Sequence, residues 1–226
     1  MFVMDIYNSA VVHAVKGERA AYKPVHTFSH ICHSSAPGEV VACIRPREVY
    51  VADLNQLQGR GNNFSAIEGL HPSMMLDIGA STMRDVEIGL ELSQKVVLGS
   101  ETAPLGLIEQ ACDFLHSSTE ALAVSIDCRG GELLCPEPME VVEFARALSG
   151  VDVSDVLLLN LTKVGTGSGI DDELVLSVMD ALDRKVLYGG GVASMEHIDH
   201  LDELGAGGAL VATAVHTGAV PVSVLR

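Results

Sequence analysis

The sequence predicts an α/β protein of the (β/α)8 TIM-barrel type: a single domain over residues 1–226, built from two similar half-barrels of about 1–118 and 119–226. Three observations predict it. Eight short runs rich in β-branched and aliphatic residues recur along the whole chain. Amphipathic stretches with recognisable ends lie between them. Segments of the second half also echo segments of the first, in the same order.

The runs are FVMDI (2–6), EVYVADL (48–54), MMLDI (74–78), KVVLG (95–99), ALAVSID (121–127), SDVLLLNL (154–161), KVLYGG (185–190) and GALVATA (208–214). Their nearly unbroken apolar character fits parallel strands covered on both faces. The first run is followed by IYNSAVVHAVKGER, a polar, hairpin-like excursion. A doubly wound open sheet would carry a Gly-rich turn into a helix there, so the barrel is preferred. Thr82 opens a helix with Met83, Val86 and Leu90 on one face. Ile108, Ala111, Cys112 and Leu115 form a second stripe, and Val141, Ala145 and Leu148 a third, after Pro136 and Pro138. Asp171–Asp172 precede Leu174, Val175, Val178, Met179 and Leu182, and Ser194 precedes Met195, Ile198 and Leu201, with Gly205 placed to stop that helix. The chain stops soon after the eighth run, which predicts a short or missing final helix.

The echo pairs GASTMRDV (79–86) with GVASMEHI (191–198), and LGSET (98–102) loosely with VATAV (211–215). Asp5 ends the first strand and Asp127 the fifth, the same place in each half.

Composition narrows the function classes. At 226 residues, 48% hydrophobic, and with a mean hydropathy of +0.31, the chain supports a large core and is not a disordered segment. Fourteen Lys and Arg against thirty Asp and Glu leave a net charge of −16, a surface that repels nucleic acid and anionic lipid. No apolar run approaches the roughly 18 residues of a membrane span. The start, MFVMDIYNSA, lacks a signal peptide's basic region. Five scattered cysteines (Cys32, Cys43, Cys112, Cys128, Cys135) have neither disulfide nor metal spacing and point to a reducing cytoplasm. Nothing in the sequence signals an oligomeric state.

Strands one and five lie on opposite sides of an eight-stranded barrel, so Asp5 and Asp127 are expected to face each other across its C-terminal mouth. Two such carboxylates suit proton donation and removal on one substrate. A strand-end aspartate is more often a helix cap or a loop ion pair, and the symmetry of the two favours the catalytic reading. Arg129, followed by Gly130 and Gly131, can meet an anion at the rim, although a plain Gly-Gly turn accounts for the same residues. Gly190 and Gly191 after strand seven, and Ala212 and Thr213 after strand eight, offer backbone amides for a phosphate. Gly79 and Ser81 after strand three, with Gly99 and Ser100 after strand four, occupy the matching places, so a substrate phosphorylated at both ends is expected. Tight packing turns would look the same. Gly165 and Thr166, in GTGSG after strand six, either cradle an anion or belong to a lid. His26, His30 and His33 have helix-face spacing, but their segment lacks an apolar stripe and a carboxylate partner, so no metal is assigned.

VMDIYNSAVVHAVKGER, VYVADL, MLDIGAST, VSIDCRGG, KVGTGSG and YGGGVASMEHIDHLDELGAGGALVATAVHTG resemble, in order, the HisA/HisF family of histidine-biosynthesis barrels. Within it they are more similar to the phosphoribosylformimino-aminoimidazole carboxamide ribotide isomerase branch. The resemblance covers most of the chain and is strongest from Leu187 to Gly218 and around Asp127. It implies a half-barrel duplication, two phosphate sites, and acid–base aspartates at Asp5 and Asp127, the latter as general base. Two departures stand out. The Asp-Gly-Thr of the isomerases after strand six reads Val164-Gly165-Thr166, and Gly-Gly-Gly after strand three reads Gly79-Ala80-Ser81. Barrels of this kind without an assigned role occur in methanogens and in methylotrophs with similar one-carbon coenzymes, and this chain resembles those paralogues as well.

Three functions follow as expectations. The first is an Amadori-type aldose–ketose isomerase acting on a phosphoribosyl amine, with no cofactor because the imine is the electron sink. The second is a lyase or condensing enzyme on a phosphorylated substrate in one-carbon coenzyme biosynthesis. The third is a phosphate-ligand-binding barrel without catalysis, which Val164 permits.

Overall fold

The computed structural model describes residues 1–70, 72–116 and 118–226. Eight parallel strands form the barrel: β1 (Phe2–Tyr7), β2 (Glu48–Asp53), β3 (Ser73–Asp77), β4 (Lys95–Gly99), β5 (Leu122–Arg129), β6 (Asp155–Asn160), β7 (Leu187–Gly189) and β8 (Gly208–Leu210). Each pairs in parallel with the next, from β1·β2 to β7·β8. The ring closes between β8 and β1, where Phe2 and Val211 form a parallel bridge and the Val3 amide donates to the Val211 carbonyl at 2.9 Å. An α/β barrel is therefore the observed architecture.

Residue alternation sorts side chains between two cores. Phe2, Met4 and Ile6 of β1 point outward, with Met74 and Leu76 of β3 and Val124 and Ile126 of β5, to pack against the helices. The opposite parity fills the barrel with Tyr50, Met75, Val97, Ala123, Leu157 and Leu210. Asp5, Asp77 and Asp127 sit two residues beyond inward Val3, Met75 and Ser125, so strand parity sends all three carboxylates inward. This is the local reason the site lies where it does.

The helices expected from periodicity form at Met83–Leu92, Leu105–Leu115, Val141–Leu148, Asp172–Leu182 and Met195–Glu203. Thr82 and Asp85 make a reciprocal capping box, and Asp171 accepts from the Leu174 amide. Ser194 precedes its helix without capping it through its side chain. Helices at Pro37–Ile44, Leu54–Leu57 and Phe64–Ile67 carry no sequence signal of comparable strength. The eighth run is strand only to Leu210. Its remainder turns into the helix Thr213–His216, followed by a 3-10 turn at Val222–Leu225. His26, His30 and His33 do not share a helix face. After a 3-10 turn at Val25–Thr27 the backbone runs irregularly, and Nδ1 of His26 meets Ser35 while Nδ1 of His30 meets the Thr217 carbonyl. Among the described residues no helix is long and apolar enough to cross a membrane.

The excursion after β1 is a hairpin. Ala10–His13 runs antiparallel to β1 and also pairs with Lys23–Pro24. Asn8 and Ser9 turn with φ of 49° and 61°, the double left-handed turn that suits strand twist. Their amides donate to Asn55 and Asn63 at 2.8 and 2.7 Å. Fully buried Asp53 holds both asparagines: it accepts from the Asn55 amide, and from the amide and side chain of Asn63. A buried carboxylate at the end of β2 thus anchors the hairpin over the barrel mouth.

Candidate active site

A cavity of about 340 Å³ opens at the C-terminal ends of the strands. Its floor carries Asp5, Asp77 and Asp127, with Tyr50 beside them. The Tyr50 hydroxyl donates to Asp77 Oδ2 at 3.0 Å, and the Gly79 amide to Asp77 Oδ1 at 2.8 Å. Ser125 Oγ lies 3.1 Å from both oxygens of Asp127, and the Asp127 amide donates to Ser100 Oγ at 2.9 Å. Gly99 leaves open the space between two of these groups. A Cβ there would sit 3.0 Å from Asp127 Oδ2 and 3.5 Å from Asp77 Oδ2.

Removal from water pushes all three carboxyls upward. Asp5 rises to about 7, with Arg19 opposing the shift and Asp77 adding to it. Asp127 rises to about 7, burial being followed by the charges of Asp77 and Glu101. Asp77 rises to about 6, held back by its bonds from Gly79 and Tyr50. Groups that titrate near neutrality can both give and take protons under ordinary conditions.

The hairpin supplies the other wall. Arg19 binds Glu101 through both carboxylate oxygens, at 3.0 and 2.6 Å, joining the loop after β1 to the loop after β4. The Lys16 amide donates to the Val164 carbonyl at 2.9 Å. Gly165, at φ 71°, lets the loop after β6 approach, since a Cβ would lie 2.2 Å from the Ala14 carbonyl oxygen. Val164 itself lines the cavity and adds an apolar surface.

Of the residues expected at the site, Asp5, Asp127, Gly165, Thr166, Gly190, Gly191, Ala212 and Thr213 border the cavity. His13 joins this rim, its Nε2 3.2 Å from Thr213 Oγ1 and its ring stacked on Phe28 at 3.9 Å. The other expected residues are engaged elsewhere. The Ser81 and Thr82 amides both donate to Asp85 Oδ2, at 3.1 and 2.9 Å. Gly79 packs on Leu57, and fully buried Ser100 serves Asp127. Gly99 faces the carboxylates. Arg129 reaches the Gly17 carbonyl at 3.3 Å, and the Gly130 amide donates to Thr162 at 2.7 Å.

Sequence reasoning passes over Asp77, Tyr50, Arg19, Glu101 and His13. Asp77 is within its reach, because MMLDI places an aspartate at a strand end as FVMD does. Arg19 and Glu101 are 82 residues apart on separate loops, and no local pattern joins them.

Comparison with known proteins agrees with this architecture. A family model described as "Histidine biosynthesis protein" matches residues 1–221. An uncharacterized protein of Methanocaldococcus jannaschii is 32% identical over 96% of this chain and 92% of its own length. The 1-(5-phosphoribosyl)-5-((5-phosphoribosylamino)methylideneamino) imidazole-4-carboxamide isomerase of Pyrobaculum aerophilum is 28% identical over 95% of this chain and 94% of its own. An isomerase of the same name from Thermus thermophilus is 28% identical over 76% of this chain and 77% of its own. With its barrel, its inward strand-end aspartates and a family match along nearly its whole length, the chain belongs to the histidine biosynthesis protein family.

Proposed function

We propose that this protein is a HisA-like isomerase that carries out an Amadori-type aldose–ketose rearrangement on a phosphoribosyl amine. The observation that carries the reading is Asp5 and Asp127 on opposite strands of one cavity floor, both titrating near 7. Asp5, in its protonated form, gives its proton to the ring oxygen and opens the sugar to an imine. Asp127, ionised, removes the proton from C2′, and the imine takes up the electron pair. The enol then collapses to the ketose. The substrate phosphate lies against Gly190, Gly191 and Thr213, where the wall is backbone and hydroxyl and offsets the acidic net charge locally. The five thiols, all free of disulfides, fit a cytoplasmic setting.

Turnover of the imidazole carboxamide ribotide of the relatives' name tests this. Wild type converts it, and Asp127→Asn lowers kcat by roughly 10²–10⁴-fold. A silent wild type removes the isomerase reading, and activity that survives Asp127→Asn removes the site assignment.

A specific observation favours a second reading, a lyase or condensing enzyme acting on a substrate with one phosphate. That ribotide carries two phosphoribosyl groups, whereas here Asp85 takes the amides after β3, and the cavity lies at the small end of ligand pockets, which run from roughly 300 to 1,000 Å³. Thermal shift separates the two. Stabilisation by a singly phosphorylated sugar and none by the ribotide selects the second reading.

A further inference from the structure

We propose that Asp77 is a third acid–base group of this site, acting together with its neighbour Asp127 on substrate bound in the cavity while Asp5 serves the opposite side. The proposal rests on the isomerase reading and gives the C2-hydroxyl proton an acceptor beside Asp127, in place of the ionised Asp5 on the opposite side.

Asp77 and Asp127 are nearly buried from solvent, and both border the cavity. Because Gly99 has no side chain, an oxygen of each comes close to the same stretch of β4: a Cβ there would lie 3.0 Å from Asp127 Oδ2, 3.2 Å from Ser125 Oγ and 3.5 Å from Asp77 Oδ2, so the two carboxylates are near neighbours. Gly99 has no positive φ, so its backbone does not require glycine there. What an alanine would change is the approach of the two carboxylates, which its Cβ would crowd. Asp77 is also held in position, by Tyr50 on one oxygen and the Gly79 amide on the other. Val164, by contrast, lines the same cavity and cannot exchange a proton.

The protons balance with three groups. Asp5 gives its proton to the ring oxygen as the C1–O bond breaks. Asp127 takes the C2 proton, leaving an enaminol. Asp77 then removes the proton of the C2 hydroxyl as the C2=O bond forms, and Asp127 returns its proton to C1. Asp127 ends as it began, Asp77 is left protonated and Asp5 ionised, and exchange with water resets both. The groups that set the titration of Asp77 are Tyr50 from β2, Asp5 from β1, Asp127 from β5, Glu101 from the loop after β4 and Arg19 from the hairpin.

The test uses the full chain, with wild type, Asp77→Asn, Tyr50→Phe and Gly99→Ala compared on the ribotide across pH. Asp77→Asn is expected to lower kcat about 100-fold or more with KM little changed, and to remove one limb of the pH profile. Tyr50→Phe removes a bond to the ionised form, so that limb moves to higher pH while turnover persists. Gly99→Ala pushes a Cβ against both carboxylates, displaces them from one another and lowers turnover strongly in a folded protein. Wild-type kcat and pH profile in Asp77→Asn overturn the proposal, as does full activity in Gly99→Ala should Asp77→Asn fail to fold. If wild type does not convert the ribotide, the isomerase reading fails separately, and carboxyl-13C aspartate NMR decides. Asp77 bearing on Asp127 lowers the Asp127 titration by about half a unit or more in Asp77→Asn, and an Asp127 curve indifferent to that change overturns the proposal.

Discussion

The rims after β3 and after β7 begin alike and end differently. Each leaves its strand through a left-handed glycine, Gly79 at φ 66° and Gly191 at φ 81°, and enters a helix behind Thr82 or Ser194. After β3 the helix's own Asp85 satisfies the amides of Ser81 and Thr82. After β7 the Ala193 amide goes to His197 Nδ1 at 3.1 Å and the Glu196 carboxylate accepts from the Ser194 hydroxyl and its own amide, while Gly190, Gly191 and Val192 border the cavity. A helix start is electropositive in either place. The two rims thus differ in which amides a carboxylate occupies: those of Ser81 and Thr82 after β3, and that of Glu196 itself after β7.

The largest expected effect separates the floor from both rims. Asp127→Asn lowers turnover by roughly 10²–10⁴-fold while inorganic phosphate still raises the melting temperature as in wild type. Loss of the phosphate effect in this variant would mean that floor and rim are one unit.

The next effect concerns stability and pH. Asp5, Asp77 and Asp127 have folded-state pKa values raised from 3.8 to about 7, 6 and 7. Their protonated forms favour the native state. That contribution is complete below about pH 4 and is lost as pH rises through about 6–7. Each pH unit separating the folded from the unfolded value contributes at most roughly 1.4 kcal/mol. Asp127→Asn should thus be more stable than wild type at pH 8, with the gap closing toward pH 4. Denaturant unfolding at the two pH values checks this, and an equal gap at both refutes it.

Gly191→Ala addresses the open rim. Its Cβ would lie 2.3 Å from the Gly169 carbonyl oxygen, at a positive φ. A stability loss of about 1–3 kcal/mol is expected together with loss of phosphate-induced stabilisation, measured by calorimetry. The smallest effect belongs to the filled rim. Asp85→Ala removes the capping box, costs about 1 kcal/mol, and frees two amides. New phosphate binding near Ser81, read by amide NMR shifts, would confirm that Asp85 is what keeps this rim closed.

Most of the fold is legible in the sequence because it is written in local patterns. All eight runs form strands, with ends displaced by a few residues where Gly and Ala continue an apolar run past the last paired residue, as after Leu210. Asp5 and Asp127 are legible because strand parity and position together aim them inward. The same rule extends to Asp77, which the half-barrel echo expected from the sequence leaves out. The filled rim is not legible. DV in GASTMRDV reads as an ordinary capping aspartate, and only the folded loop shows that its carboxylate also takes the amide of Ser81. The Arg19–Glu101 bridge joins two distant loops, and the approach of Asp77 and Asp127 across Gly99 joins three strands, contacts that no window of sequence contains.

That closure has a consequence for the chain as it is made. Residues Phe2 and Val3 wait for Val211, the last strand connection to be synthesised, so the ring cannot seal on the ribosome until nearly all of it has emerged. An open parallel sheet in that interval would show a bare edge to its neighbours. Here the hairpin strand Ala10–His13 covers β1 from Asp5 to Tyr7, on the edge that β8 later meets near Phe2. The segment that roofs the cavity in the finished molecule thus also covers the β1 edge of the nascent sheet from Asp5 to Tyr7, and leaves the start of that edge for β8.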